Sequence, residues 1–324
     1  MTDVATALGD IDASQLGKTL THEHLFINMM QERRGDGLVH DETLLVDELA
    51  VFAAQGGGTI FDLTTAELTP GSTPDSDPNF DAQQVGQTRN PKAVAGIQRI
   101  SRATGVHVVL GAGRYRDPFL SEALIGTQGV DGIAEEMIRD LTEGIPGTTA
   151  KAGLIGEIGA DKWFVSEHED VVFRASAKAH VQTNVPVYTH AARWQVGLEQ
   201  LAILREEGAD PAKIAIGHTD TVPTPGFALQ IARQGAFVGI DTINSDNRRE
   251  VAHRVDMVME LVREGYLQKI LLAHDVCLMS QLSAYGGNGF GFVLGGFRQA
   301  LLDAGLDKGE FDEIVTGNPA RLLS

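Results

Sequence analysis

The chain has 324 residues, 43% of them apolar, which suffices for a large core and suits either two domains or one barrel. Its 26 Lys and Arg against 44 Asp and Glu give a net charge of −18, and a field of that sign repels phosphate backbones and anionic lipid, which excludes nucleic acid and membrane surfaces as expected partners. A single cysteine, Cys277, excludes an internal disulfide framework and a cysteine-rich zinc site, so any metal must be held by the ten histidines and the carboxylates.

The first ten residues carry two acids and no base, unlike a secretory leader, and no run of about 18 apolar residues occurs. A soluble cytoplasmic protein is expected. Taken in chain order, a β-rich run at Thr19–Leu25 (TLTHEHL) comes first. A helical pattern over Thr43–Ala54 follows, with Leu44, Leu45, Leu49, Val51 and Phe52 at mixed three- and four-residue spacing. Next is Gly58–Thr65 (GTIFDLTT), and then Ala66–Asn90, roughly 25 residues of little pattern, read as a functional loop or as solvated acids. Further runs stand at Val106–Gly113, Gly153–Gly159, Val185–Ala191, Ile214–His218, Ala236–Thr242 and Ile270–Asp275. Each is short, apolar and bounded by glycine or polar residues, as a strand buried on both faces should be. Helical patterns cover Val171–Val181, Val196–Glu207, Glu250–Glu264 and Phe292–Ala304. Glycines at 56–58, 105, 208, 235 and 265 stand where helices should end before the next strand.

Eight strands alternating with helices fit a doubly wound sheet or a (β/α)8 TIM barrel, and eight is the barrel number. One barrel domain over 1–324 is predicted. In a parallel barrel all carboxyl-terminal strand ends face one mouth. His22, His24, Glu157, His190, His218 and Asp275 sit at or near such ends, on five separate strands. His22 and His24 are one residue apart and share a strand face. Glu157 lies inside the apolar run GLIGEIG, where a lone carboxylate is costly unless paired or metal-bound. The set can hold two divalent cations, with Glu157 offering an oxygen to each and Asp275 also accepting a proton from an activated water. The competing bland readings are a satisfied core histidine for His190 and a helix N-cap for Asp275. All-N/O ligation suits Zn first, with Mn, Co or Fe as alternatives.

Several motifs together resemble the phosphotriesterase family of the amidohydrolase superfamily. They are LGKTLTHEHL (16–25), AGLIGEIG (152–159), VPVYTH (185–190), IAIGHTD (214–220), GAFVGIDTI (235–243), ILLAHD (270–275), AYGGNGF (284–290) and TGNPARLLS (316–324). The resemblance implies a (β/α)8 barrel, a binuclear metal centre at its mouth, the same six ligands, hydrolysis, and a homodimer. Many family members bridge their metals with a carboxylated lysine on strand 4. Here Lys151 and Lys162 lie outside LIGEIG, which resembles the glutamate-bridged branch of phosphotriesterase-related proteins. The histidine and the extra acid of organophosphate-hydrolysing members correspond to Thr242 and Thr221, so efficient organophosphate turnover is not implied.

Substrate contacts are expected from the loops. Arg193, three residues after His190, is the first choice, with Tyr115 and Arg249; Arg114, Arg116, Trp194 and Arg248 stand nearby. Their alternative is pairing with surface acids. Asp220 and Asp241 are read as acceptors that orient ligands or as loop caps. Cys277 is read as packing, the GGNG stretch 286–289 as a close-approach or moving loop, and His40, His107, His168, His180, His253 and His274 as structural or surface residues. The expected activity is cleavage of an ester, lactone or phosphoester, in a small-molecule substrate. The alternative is amide cleavage of a small N-acyl amino or sulfonic acid, as the resemblance to animal phosphotriesterase-related proteins implies. A non-catalytic metal-binding barrel is the reading from another class. A nucleotide-dependent enzyme lacks both a P-loop and a dinucleotide motif.

Overall fold

The structure is a computed structural model that describes residues 3–71, 88–160 and 162–324. A hairpin, Asp3–Thr6 against Gly9–Asp12, precedes the barrel and ties Ala7 N–H to Val108 O at 2.8 Å. Eight strands then form one parallel sheet in sequence order. They are β1 (Lys18–Glu23), β2 (Gly57–Asp62), β3 (His107–Ala112), β4 (Leu154–Gly159), β5 (Val187–His190), β6 (Ile214–Ile216), β7 (Phe237–Ile240) and β8 (Ile270–Leu272). The sheet closes where Thr21 Oγ1 donates to Leu272 O at 3.3 Å and Asp275 N–H donates to His22 O at 3.1 Å. The barrel expectation holds.

Alternation of side chains sorts the core into two zones. Phe61, Val109, Leu154, Tyr188, Ala215, Phe237 and Leu271 cluster inside the barrel with Val4, Leu16 and Leu322, all buried. The opposite strand faces pack on the helices. These are α1 (Glu42–Ala54), α2 (Pro91–Thr104), α3 (Glu122–Thr142), α4 (Glu167–Thr183), α5 (Val196–Glu206), α6 (Phe227–Arg233) and α7 (Arg248–Arg263), then a π turn, Val293–Phe297, running into α8 (Arg298–Asp303). Several have a legible start. Asp41 caps α1 through Leu44 N–H, Asn90 and Pro91 open α2, and Ser166 with Glu169 forms a capping box on α4. That box starts α4 four residues before the apolar periodicity predicts. The periodicity also leaves out α2, α3 and α6 as ranges, although Gly105, at φ 73°, caps α2 where expected. In α3, Gly129 at φ 59° interrupts the helical backbone, and the apolar spacing changes with it.

Most of the predicted loop Ala66–Asn90 lies outside the described residues; Ala66–Leu68 forms one buried 3-10 turn. Among the described residues no helix is long and apolar enough to cross a membrane.

Candidate metal centre

Several strand predictions run past the observed strand ends, Gly58–Thr65 and Ala236–Thr242 among them, and two of these overruns place the site. β6 stops at Ile216 and β8 at Leu272, so His218 and Asp275 stand past the strands on left-handed bends with φ 55° and 54°. A non-glycine residue there costs about 1–3 kcal/mol and persists only where its surroundings hold it. Glu157 depends on its neighbour. Gly156 has φ 135°, and a Cβ on it would lie 2.3 Å from Tyr188 O, so only glycine lets β4 approach β5 at that point.

The six predicted residues converge. Glu157 Oε2 lies 3.2 Å from His22 Nε2, 3.2 Å from His190 Nδ1 and 3.4 Å from His218 Nε2, while Oε1 is 3.7 Å from His24 Nε2. Asp275 Oδ1 is 3.3 Å from His24 Nε2 and 3.9 Å from His22 Nε2. His22, His24, Glu157, His190 and His218 are buried; the Asp275 side chain, 19% exposed, is the part that opens outward. Three groups have ligand-type atoms all within 4.8 Å of one another: His22–His24–Glu157, Glu157–His190–His218 and His22–His218–Asp241.

The donor set fits cations. His22 Nε2 and His190 Nε2 are buried without a hydrogen-bond partner, a costly state that an ion at the first of them removes. Tautomers are set from behind. Asp241 accepts from His22 Nδ1 at 3.0 Å, from His218 Nδ1 at 2.9 Å, from His218 N–H at 2.8 Å and from the Tyr188 hydroxyl at 2.8 Å. Those bonds turn both Nε2 lone pairs toward Glu157. Asp241 is itself held by Asp220, whose other oxygen receives Arg254 Nε at 2.6 Å. The two aspartates therefore orient ligands in series. His24 Nδ1 meets Thr64 Oγ1 at 3.0 Å.

Without cations the cluster shares protons. Burial opposes charge on His22, but Glu157 and Asp241 outweigh it and lift the imidazole to about 10. His218 is raised in the same way, burial being overcome chiefly by Asp241. For His190, burial and the neighbouring His218 prevail and bring it down to about 4. Burial works against ionised Glu157, yet His22 and His190 hold its carboxyl well below the usual range.

Above the cluster is a cavity of about 290 Å³, lined by Met29, Arg33, Tyr115, Arg193, Asn244 and Gln281 among others. Tyr115 reaches His190 Nδ1 through its hydroxyl at 3.1 Å, and the Arg116 guanidinium lies 4.9 Å over its ring. Arg193 lines the cavity with its backbone at φ 69°, its N–H bonded to Thr221 Oγ1 at 2.7 Å. Arg249 stands apart from the other two: it is exposed in the first turn of α7, which Asn247 caps, and is not among the residues lining this cavity. Arg114 is buried between Glu67 and Glu136, at 3.2 and 2.7 Å, and is structural. Arg33 escaped the sequence reading, since nothing marked the segment after β1 as part of the mouth. Burial, then the Asp275 carboxylate, pushes the Cys277 thiol well up, which agrees with a packing role. Lys162 is 3.8 Å from Asp117 and half-exposed, and Lys151 precedes β4. Neither comes near Glu157.

A (β/α)8 barrel with a buried histidine–carboxylate cluster at its carboxyl-terminal mouth has the architecture of a barrel hydrolase. The chain belongs to the phosphotriesterase family, whose sequence model matches residues 2–71 and 81–323, and it is a hydrolase of that family. It is 30% identical to the phosphotriesterase homology protein of Escherichia coli K12, over 95% of this chain and 98% of that one. A solved structure of the E. coli protein, complexed with phosphate in its active site, superposes with a TM-score of 0.84 at 29% identity, covering 96% of this chain and 99% of that one. The N-acetyltaurine hydrolase of Danio rerio is 30% identical over 99% of this chain and 97% of its own. A lactonase from Listeria monocytogenes superposes with a TM-score of 0.83 at 25% identity, covering 100% of this chain and 99% of that one.

Proposed function

We propose that this chain is a binuclear metal-dependent hydrolase that opens a small ester, a lactone or a phosphoester. The observation that carries the reading is Glu157, a buried carboxylate set among four imidazoles beneath the 290 Å³ cavity. His22, His24, Glu157 and Asp275 would hold one divalent cation, and Glu157, His190 and His218 the other, zinc being the proposed ion. When bound, such cations supply an activated water at neutral pH and a Lewis acid for the carbonyl or phosphoryl oxygen. The protein's own residues do the rest. Asp241 fixes the imidazoles, Tyr115 and Arg193 bound the substrate space, and Asp275, alone of the set in reaching toward solvent, takes the proton and returns it to the leaving group. The lactonase structure and the phosphate in the E. coli relative support an ester substrate.

Metal removal tests the reading. Dialysis against a chelator is expected to abolish hydrolysis across a panel of lactones, phosphoesters and N-acyl amino acids, and Zn2+, Mn2+ or Co2+ to restore it. Full activity at a metal content near zero would refute it.

Arg33 favours a second reading, amide cleavage in a small anionic N-acyl compound, in line with the N-acetyltaurine hydrolase relatives. It lines the cavity and has no carboxylate partner among the described residues, whereas neighbouring Arg116 is taken by Glu32 at 3.1 Å. On this reading Arg33→Met raises KM for an anionic substrate by about tenfold, the loss of one charge-assisted hydrogen bond at a partly wet rim. A neutral lactone keeps its KM. Equal KM changes for both substrates in steady-state assays would remove the anion-binding role.

A further inference from the structure

The middle residue of the H-E-H run has no part in the cluster. His22 and His24 face into the barrel; Glu23, between them on β1, faces the other way and is fully buried. No lysine or arginine meets it among the described residues. Its partners all come from the turn after β8. Glu23 Oε1 accepts from His274 N–H and from His274 Nδ1, both at 2.8 Å, and Oε2 accepts from Val276 N–H at 3.0 Å. Val293 N–H donates to His274 Nε2 at 2.8 Å, so the ring proton is on Nδ1 and points at Glu23.

These donors bracket one residue, Asp275. Its backbone is the left-handed bend at φ 54°, and its own N–H goes to His22 O. An aspartate in that conformation relaxes unless held. A carboxylate bonded to the N–H groups on both sides of the bend holds it, and an ionised acceptor makes those bonds about twice as strong as neutral ones.

We propose that Glu23 is a positioning residue for Asp275: it fixes the bend that aims the Asp275 carboxylate at His24 and His22. This rests on the two-cation reading above. Glutamine at 23 keeps the volume but replaces one acceptor oxygen by an NH2 that faces a donor N–H, so the clamp opens on one side.

Co2+ alone is the probe. Its affinity and its visible d–d absorption are measured on the full chain for wild type, Glu23→Gln, Asp275→Gly and the double variant. Glycine is suited to φ 54° and leaves no carboxylate to position. Glu23→Gln is expected to weaken one of two Co2+ equivalents by roughly 10- to 100-fold, the usual effect of losing a group behind a ligand, and to shift its absorption. In the Asp275→Gly background the same substitution is expected to change affinity by less than about threefold, because the two act as one unit. The same loss in both backgrounds, or none in either, overturns the proposal and makes Glu23 a stability residue. Should Glu23→Gln not fold, Glu23→Asp is put through the same cycle; failure of both to fold also overturns it. A wild-type chain that binds no Co2+ overturns the two-cation reading itself, a result distinct from an unchanged Glu23→Gln.

Discussion

Glu157→Gln is expected to give a folded barrel with no measurable turnover and at least one cation lost. The glutamate Oε2 is within 3.4 Å of nitrogens from β1, β5 and the bend after β6, and Oε1 faces a fourth imidazole at 3.7 Å. Among the described residues no other carboxylate is placed between His22–His24 and His190–His218. Asp241, the nearest rival, is committed to four donors behind the imidazoles. An amide keeps one acceptor oxygen and sets an NH2 group among ring nitrogens whose lone pairs already face inward. Removing the charge from a buried group of opposite partners costs about 3–5 kcal/mol, which is roughly a hundred- to several-thousand-fold in cation affinity. Elemental analysis after gel filtration and a steady-state assay at saturating Zn2+ check both halves. A variant that retains two equivalents and near-normal kcat would show that the cations are shared elsewhere. Circular dichroism is expected to be unchanged, because Glu157 lies above the apolar filling of Phe61, Val109, Leu154 and Phe237 that holds the barrel.

How much of this could be read without coordinates depends on how local each cause is. The eight strands were legible because burial on both faces demands an apolar run, and the turns after helices demand glycine. His22 and His24 were legible because one intervening residue on a strand fixes a shared face. Glu157 was legible because an acid inside LIGEIG contradicts its surroundings. Strand ends were not. His218 and Asp275 look like terminal strand residues, but both sit on left-handed bends whose N–H groups donate to Asp241 and Glu23, 23 and 252 positions away in sequence. Distance along the chain likewise hid the buried ion pairs. Arg114 reads as a mouth arginine until Glu67 and Glu136 close on it. Arg249 and Arg33 are mirror cases. Proximity to a strand end suggested the first, which is exposed and does not line the cavity; the second lies ten residues past β1, and the short helix Met30–Arg33 brings it to the cavity lining. The specific bond cleaved has no local signature, because lining residues such as Met29, Asn244 and Gln281 come from separate loops.

The second large effect belongs to Asp275, and it separates catalysis from cation binding. Asparagine, like aspartate, is one of the few non-glycine residues that adopt the left-handed conformation, so Asp275→Asn keeps the bend at φ 54° and an oxygen near His24. What it loses is the ability to take up a proton. Its side chain, 19% exposed, lines the cavity beside Cys277 and Leu278, where a leaving group would depart. A general acid–base group is worth about 10²–10⁴ in rate, so kcat is expected to fall by that factor while KM changes little. The loss depends on the leaving group. A nitrophenolate departs without a proton and is expected to show the smaller drop, whereas an alkoxide or an amine needs one and shows the full factor. Matched nitrophenyl and alkyl esters of one acid, assayed under saturating Zn2+, therefore distinguish a proton carrier from a simple ligand. Equal losses on both esters would assign Asp275 to cation binding alone, and a near-normal kcat on the alkyl ester would move the proton transfer to another group, for which Tyr115, its hydroxyl 3.1 Å from His190, is one candidate on the cavity wall. Burial, and then the Glu157 charge, hold that phenol well above its usual range, so Tyr115 can donate a hydrogen bond to substrate but is a poor acceptor of the proton that Asp275 would leave behind.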